Sequence, residues 1–528
     1  MELIVSRPTG ARVVQDYLSG AGAAPAFFGL RFDDPDAFAA KAAEVDGRFD
    51  RAARARAVEA LIVPEGGDAA RLDRFVEEGG YMVTTGQQPG LYGGPLYSIH
   101  KALTAVRLAE ALEARLGKPV LPVFWVASDD HDWAEANHAD LITVGNDLHR
   151  FELAAATGDR TPALHRIELG ADADTVLGEF IEALPGTDFS EGYVATLRAG
   201  FAAGGSLPDG FHALLQSLLG RFGIFFTDAA HPALKAHSAE LLLDELRRAE
   251  EMEGILRSTA EALNAAEYDL QVPIMEGGVN LFLEGPAGRE RIYREEGAFR
   301  LRTSGETLSL DEIRARTDAD PLALSPNVLF RPVVESSVFP TLAYVGGPGE
   351  MAYFAQIRAY FEAHDIGMPI VYPRWAATAI ETKIRKVLDK FGVDVASLNR
   401  PFHEISSEIA RDEVPDDVRA AIGKLRGALG SGVGELQKAA TQVDPTLKGP
   451  VQHLRSQAFA ALDDVEKKVT AAVKRESEIT LAQLEKAQLH LFPNGKPAER
   501  VQSPMYFLAR YGEAFLDDLY EAFEVNFE

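Results

Sequence analysis

One segment of the 528-residue chain limits its fold more than any other: YMVTTGQQPGLYGGPLYSIHKALTAVRLAEALEARLGKPVLPVFWVASDDHDWAEANH, residues 81–138. A β-rich run ends at Thr84-Thr85-Gly86, and a glycine-rich loop follows. Leu96, Ile99, Leu103, Val106, Ala109 and Leu112 then recur at helical spacing. Pro95 suits the first helical turn, where its missing N–H costs nothing. Val120–Ala127 is apolar throughout, as in a parallel strand covered on both faces. It ends in Asp129-Asp130-His131-Asp132. This is one βαβ unit with polar residues at both strand ends, where open α/β sheets bind their ligands.

A second unit of the same plan lies downstream. Leu342–Val345 reads as a strand, Gly346-Gly347-Pro348-Gly349 as a turn and Glu350–Ala363 as a helix. Met368–Tyr372 reads as a further strand ending at Pro373-Arg374. Two such blocks predict an α/β fold with a doubly wound, Rossmann-like core. Gly223–Thr227, ending at Asp228, reads as an extra strand of the same sheet. The expected organisation is N-terminal helices and the first half of the core over 1–144, then connecting insertions over 145–325 that cap the crevice. Short strands are expected there at Val279–Leu283, Arg291–Arg294 and Phe299–Arg302. The second half of the core follows over 326–400, a helical hairpin over 401–490, and a segment returning to the core over 491–528. In the hairpin Val418, Ile422, Leu425, Leu429, Val433, Leu436 and Ala440 keep 3/4 spacing. Val451, Ala458, Leu462, Val465, Val469, Ala472 and Ile479 do the same beyond the breaks at Asp444-Pro445 and Gly449-Pro450, with Arg455 and Glu476 as polar interruptions. That pattern predicts an antiparallel coiled coil.

Composition narrows the function. A net charge of −27 argues against non-specific binding of nucleic acid, though not against a small anion in a local pocket. The absence of cysteine excludes disulfides, thiolate metal ligands and a cysteine nucleophile. No apolar run reaches the ~18 residues of a membrane span, and the N-terminus lacks a basic stretch followed by an apolar core. A cytoplasmic protein without membrane contact is expected.

Candidate site residues follow from the strand ends. Thr85, Gly86, Gln87, Gln88, Gly90 and Gly94 offer close backbone approach to a cofactor, and Lys101 lies within reach of a phosphate; a tight structural turn is the alternative. Asp129, Asp130, His131 and Asp132 suit acid–base work or metal ligation, although Asp132 has the placement of a simple helix cap. No metal-ligand spacing such as HExxH is present, and no metal is assigned. Gly346, Gly347 and Gly349 with Ala352 resemble a dinucleotide fingerprint. Glu350 opposes that reading, because a carboxylate at the helix start repels a pyrophosphate. Glu350 fits either recognition of a substrate ammonium or the helix dipole alone. Arg331 and Arg374 have the chemistry to clamp a carboxylate or phosphate, or to form structural ion pairs; Asn327 and Tyr344 are weaker candidates of the same kind.

Several stretches resemble one family. TTGQQPGLYGGPLYSIHKA (84–102), PVFWVASDDHDWAEANH (122–138), SPNVLFRPVVESSVFPTLAYVGGPGEMAYFAQ (325–356), MPIVYPR (368–374) and LFPNGKPAERV (491–501) are similar, in the same order, to the bacillithiol-biosynthesis cysteine-adding enzymes, or BshC cysteine ligases. The chain departs from that pattern at Ser128-Asp129, at Glu335-Ser336 and at Ala498. The resemblance implies a core related to class I aminoacyl-tRNA synthetases, connecting-peptide insertions and a coiled coil that makes a homodimer. It implies a reaction joining the cysteine carboxyl to the amine of glucosaminyl malate. Because such an amide bond is uphill, ATP and a cysteinyl adenylate are the expected route. His100 and Lys101 then stand where a synthetase holds phosphate, Asp130 and His131 orient the amine or take its proton, and Glu350 and Arg374 hold substrate charges. Two other readings remain open at this point: an NAD(P)-binding oxidoreductase using Gly347–Ala352, and a non-catalytic dimeric nucleotide-binding scaffold.

Overall fold

The computed structural model of the chain describes residues 1–64, 69–154, 157–158, 160–476 and 478–527. They form two units: Leu3–Thr378 with Glu499–Glu528, and Ala379–Ala498 with Met1–Glu2.

The larger unit is built on a five-stranded sheet of β1 (Tyr81–Gln87), β2 (Val120–Val126), β3 (Phe225–Asp228), β4 (Thr341–Gly346) and β5 (Ile370–Pro373). The strands lie in the order β5-β4-β1-β2-β3 and are all parallel. The order reverses between β1 and β4, which makes the sheet doubly wound. The strand expected near 223–227 is β3, at one edge. All of β2, and β1 as far as Gly86, is buried, which is why these strands lack polar alternation. Helix α1 (Tyr97–Leu116) joins β1 to β2 and packs on both. It begins just after Pro95 and ends where Gly117 turns left-handed at φ 65°, a reversal open to a residue without Cβ.

Three shorter helices complete the strand ends: α2 (Trp133–Ala136), α3 (Arg331–Val338) and α4 (Pro348–Phe354). The helix expected over 350–363 is broken, with Arg358–Ala363 as a separate piece. Buried Gln356 lies in the break, where its side chain accepts from the amides of Gln271 and Val272 and donates to the Val272 carbonyl.

The long stretch between the halves carries a five-stranded antiparallel sheet. Its order is Thr307–Leu308, Ala298–Leu301, Gly288–Glu295, Gly278–Gly285, Leu324–Pro326. Leu281, Leu283, Ile292 and Leu301 join the same hydrophobic core as Leu342 and Val345 of β4. Two-residue alternation therefore puts Phe282, Arg289 and Arg291 on the opposite face, with Phe282 directly across from Arg291.

In the smaller unit α5 (Asp416–Val443) and α6 (Lys448–Glu476) form a hairpin. Asp444 stops the first arm, its carboxylate accepting from the Thr446 amide at 2.8 Å. Arg426 bridges the arms to Asp463 (2.9 Å) and Glu466 (2.6 Å). Val433, Val451 and Leu462 are buried, whereas Leu425, Leu436 and Val465 remain 51%, 46% and 50% exposed. Among the described residues no helix is long and apolar enough to cross a membrane.

Gly86 is held by packing between neighbouring strands. A Cβ there would lie 2.8 Å from the Trp125 carbonyl oxygen and 2.9 Å from its Cβ. Gly86→Ala is expected to destabilise the larger unit by about 1–3 kcal/mol, as overpacking does. A lower urea midpoint, followed by tryptophan fluorescence, would report this; an unchanged midpoint would show that the two strands separate freely.

Candidate active site

At the carboxyl ends of the parallel strands, where their order reverses, lies a cavity of about 410 Å3. This is the size and the place expected of a small-molecule site. Gly86–Gln88 after β1, Asp129–His131 after β2, Gly347–Glu350 after β4 and Arg374 after β5 all line it. Phe282, Arg289 and Arg291 of the antiparallel sheet face it from across, and Arg500 lines it from the C-terminal segment. The glycine loops and the acidic strand end thus meet in one crevice. Basic side chains predominate there: Lys101, Arg289, Arg291, Arg331, Arg374 and Arg500 against Asp129, Asp130 and Glu350. A strongly acidic protein has built a locally basic pocket.

Most of these charges are already engaged. Lys101 is buried, with its ammonium on the Gly86 carbonyl, on Gln87 Oε1 at 3.3 Å and on Glu350 Oε2 at 2.7 Å. Glu350 also accepts from the Gly347 amide (2.9 Å) and from the Tyr344 hydroxyl. Burial alone would raise the Glu350 carboxyl, but Lys101, the Gly347 amide and Tyr344 outweigh it and hold the group below its usual range. Arg331 extends the chain of contacts, reaching Tyr344 (3.1 Å), Tyr353 (3.3 Å) and buried Glu335 (2.7 Å). Asn327 spends its side chain locally: its oxygen accepts from the Leu329 and Phe330 amides, and its nitrogen donates to Asn280.

Arg374 is likewise committed. Its guanidinium forks onto Glu499 at 3.0 and 2.6 Å, and the same carboxylate accepts from His100 Nδ1 at 2.7 Å. His100 is buried beneath the crevice and does not line it. Burial opposes the Glu499 charge, yet the His100 hydrogen bond and Arg374 bring its carboxyl down to about 2. Among the described residues of the crevice, two cations remain without an ion pair or hydrogen bond from their side chains, and neither is marked by a motif of its own. Among the described residues, Arg291 and Arg500 have no carboxylate partner; each lies near an aromatic ring, Phe282 at 5.3 Å and Tyr97 at 5.8 Å.

The acidic strand end divides its labour. Asp132 caps α2 through the Glu135 amide at 3.0 Å and lies outside the crevice. Asp130 turns onto its own backbone, accepting from the amides of His131 (2.6 Å) and Asp132 (3.2 Å). Asp129 lines the crevice with no hydrogen-bond partner among the described residues. His131 Nδ1 lies 3.0 Å from Arg289 Nη1. A guanidinium only donates, so Nδ1 holds the lone pair and the neutral ring carries its proton on Nε2. Burial, then the Arg289 charge, keep the His131 ring below its usual value. Among the described residues no three of His, Asp and Glu converge as metal ligands.

The glycines serve different ends. Gly347 and Gly349 line the crevice, but the Gly347 amide is taken by Glu350. Gly346 lies just below, at the end of β4. Gly90 and Gly94 are buried against each other, where a Cβ on Gly90 would meet Gly94 Cα at 2.8 Å. They form a turn, away from the crevice. Thr85 donates to the Val345 carbonyl at 2.8 Å, tying β1 to β4. Gln88 reaches the crevice with its amide nitrogen buried and unpartnered. Glu499 and Arg500 sit within the family-like stretch 491–501, and that context was the available signal for them. Arg289 and Arg291 were detectable only as an alternating pair on a strand.

A doubly wound Rossmann-like unit with a basic crevice at its switch point, followed by a helical hairpin, defines a two-part class of protein. The N-terminal Rossmann-like domain of bacillithiol biosynthesis BshC matches residues 1–375, and the BshC C-terminal coiled-coil domain matches 377–526. The chain belongs to the BshC family. A relative from Salinibacter ruber, named "Putative cysteine ligase BshC", is 33% identical over 445 residues, covering 84% of this chain and 81% of the relative. Relatives of the same name from Koribacter versatilis and Geobacillus thermodenitrificans are 29% and 27% identical, each covering 98% of this chain and 96% of the relative.

The Glu499 pair should be visible in acid. Its folded carboxyl is depressed from an ordinary 4.5 to about 2. The resulting stability is present above the unfolded value and is lost as pH falls from about 4.5 to 2, amounting to about 3 kcal/mol. Glu499→Gln should be less stable at pH 7, because Arg374 is left buried without its counter-charge, and should lose little further stability on acidification over that window. Urea midpoints of both forms across pH 2–7 would check this; parallel pH profiles would refute the assignment.

Proposed function

We propose that the chain is a ligase that joins the cysteine carboxyl to the amine of glucosaminyl malate, with ATP consumed in the reaction. The observation that carries this reading is the crevice: among the described residues, the Arg291 and Arg500 guanidiniums and the Asp129 carboxylate face one small cavity without a hydrogen-bond or ion-pair partner. The substrates bring carboxylates, phosphates and an amine, which are the complementary groups. Membership of a family whose relatives are named for cysteine ligation supports the same reaction.

The residues fit ATP in part. Gln88, with its buried unpartnered amide, and Arg500, on the open side of the crevice, are the groups that would hold phosphate oxygens. The Gly347 amide and Lys101 are not available for that task, since Glu350 occupies both. Bound ATP would supply the activation that makes amide formation downhill. Asp129 is the group placed to receive the proton of the attacking amine, because Asp130 already accepts two backbone amides and His131 Nδ1 accepts from Arg289. The Lys101–Glu350 pair fixes the crevice floor. A homodimer through the hairpin is part of the reading, supported by the exposed Leu425, Leu436 and Val465.

Two experiments test it. Incubating the chain with cysteine, glucosaminyl malate and ATP should yield the cysteinyl amide by mass, and Asp129→Asn should lower kcat by about 100-fold or more while leaving the KM for ATP within twofold. Fully folded protein that makes no amide under any nucleotide or metal condition removes the ligase reading. Separately, the double variant Leu425→Glu with Leu436→Glu should run as a monomer in light scattering where the parent runs as a dimer. A parent that is already monomeric removes the dimer.

A further inference from the structure

Three donors gather around one aromatic ring at the crevice wall. The Phe282 ring centroid lies 5.3 Å from the His131 ring, 4.1 Å from the Arg289 guanidinium carbon and 5.3 Å from that of Arg291. Phe282, Arg289 and Arg291 share one face of the antiparallel sheet. The two arginines differ in what they do. Arg289 is buried and fully committed: it donates to Ser325 Oγ at 2.8 Å, to the Pro326 carbonyl at 2.8 Å and to His131 Nδ1 at 3.0 Å. The Arg291 side chain has no hydrogen bond or ion pair among the described residues and lines the cavity.

The chemistry of that corner is one-sided. Arg289 forces the neutral His131 ring to present Nε2–H rather than a lone pair. Arg291 presents an unpaired guanidinium, whose planar fork suits an oxyanion bidentately. The carboxylates nearby do not cancel it. Asp130, 3.6 Å from His131 Nδ1, is directed at its own backbone amides. Asp129 is offset by buried Lys235 as well as by Arg289.

We propose that this corner is an anion subsite, in which His131 Nε2–H and the Arg291 guanidinium bind an oxyanion group of a substrate while Arg289 positions His131 as a donor. The ligand chemistry is a carboxylate or a phosphate. The proposal rests on the ligase reading only for the choice of probes, and it makes His131 a hydrogen-bond donor to an anion, where the family resemblance has it orient the amine or take its proton.

Calorimetric titration of the full chain with malate and, separately, with ATP tests the subsite without turnover. Arg291→Gln should weaken one of the two at least tenfold, while Arg291→Lys, which keeps the charge, should weaken it less. Loss of malate binding assigns the subsite to a carboxylate; loss of ATP binding assigns it to phosphate. Binding of both probes within twofold of the parent, or no binding of either by the parent, overturns the proposal. A parent that binds malate yet forms no amide would sink the ligase reading and leave the subsite standing. Histidine 15N NMR provides the second readout, with the His131 signals identified by their loss in His131→Asn. The parent should show the Nε2–H tautomer at neutral pH, and a folded Arg289→Met variant should show mixed tautomers. An Nδ1–H or doubly protonated ring in the parent, or an unchanged pattern in Arg289→Met, overturns the positioning role.

Discussion

The buried ammonium of Lys101 is the constraint on which the crevice depends. It sits where the sheet changes winding direction, between the end of β1 and the start of α4. An uncompensated charge there would cost several kcal/mol. Its three contacts, the Gly86 carbonyl, Gln87 and Glu350, lie on both halves of the doubly wound sheet. Glu350 passes the demand to Tyr344 and the Gly347 amide, Tyr344 to Arg331, and Arg331 to Glu335. One charge thus organises a continuous polar chain across the switch point. Each member is oriented by its neighbours, which is the condition for a rigid polar surface facing substrate.

A second buried set does the same on the other side. Glu499 holds Arg374 and His100 together and brings the C-terminal segment against the strand ends. With the charges of these two sets paired internally, the remaining reactive groups stand out by contrast. Asp129, Gln88, Arg291 and Arg500 carry unspent hydrogen-bonding capacity into the same cavity. A ligand needs such groups, because protein groups already paired have nothing further to exchange for its hydration.

The fold was legible because its signals are local. Helical spacing through Leu96–Leu112, the uniformly apolar Val120–Val126 and the two glycine turns follow from the periods of helix and strand, and those survive in any context. The crevice location was legible for the same reason: strand ends carry it. The helix expected over 350–363 is shorter than its spacing predicts because Gln356 interrupts it to bind backbone far upstream, and no local pattern announces that. The likeness of 491–501 to a family stretch marked Glu499 and Arg500 as belonging to something, without saying to what.

Sequence alone settled the doubly wound core, the hairpin and the residue types gathered at the strand ends. Tertiary structure decided which of them are free. Arg374, Arg331, Lys101 and His100 read as ligand-binding groups until their partners appear at Glu499, Glu335 and Glu350, and Arg291 reads as an ordinary strand residue until the antiparallel sheet swings it over the crevice. The reason is physical. Propensity and periodicity act over a few residues, whereas the pairing of a buried charge is settled by whichever opposite charge the fold brings within about 3 Å, and chain distance says nothing about that.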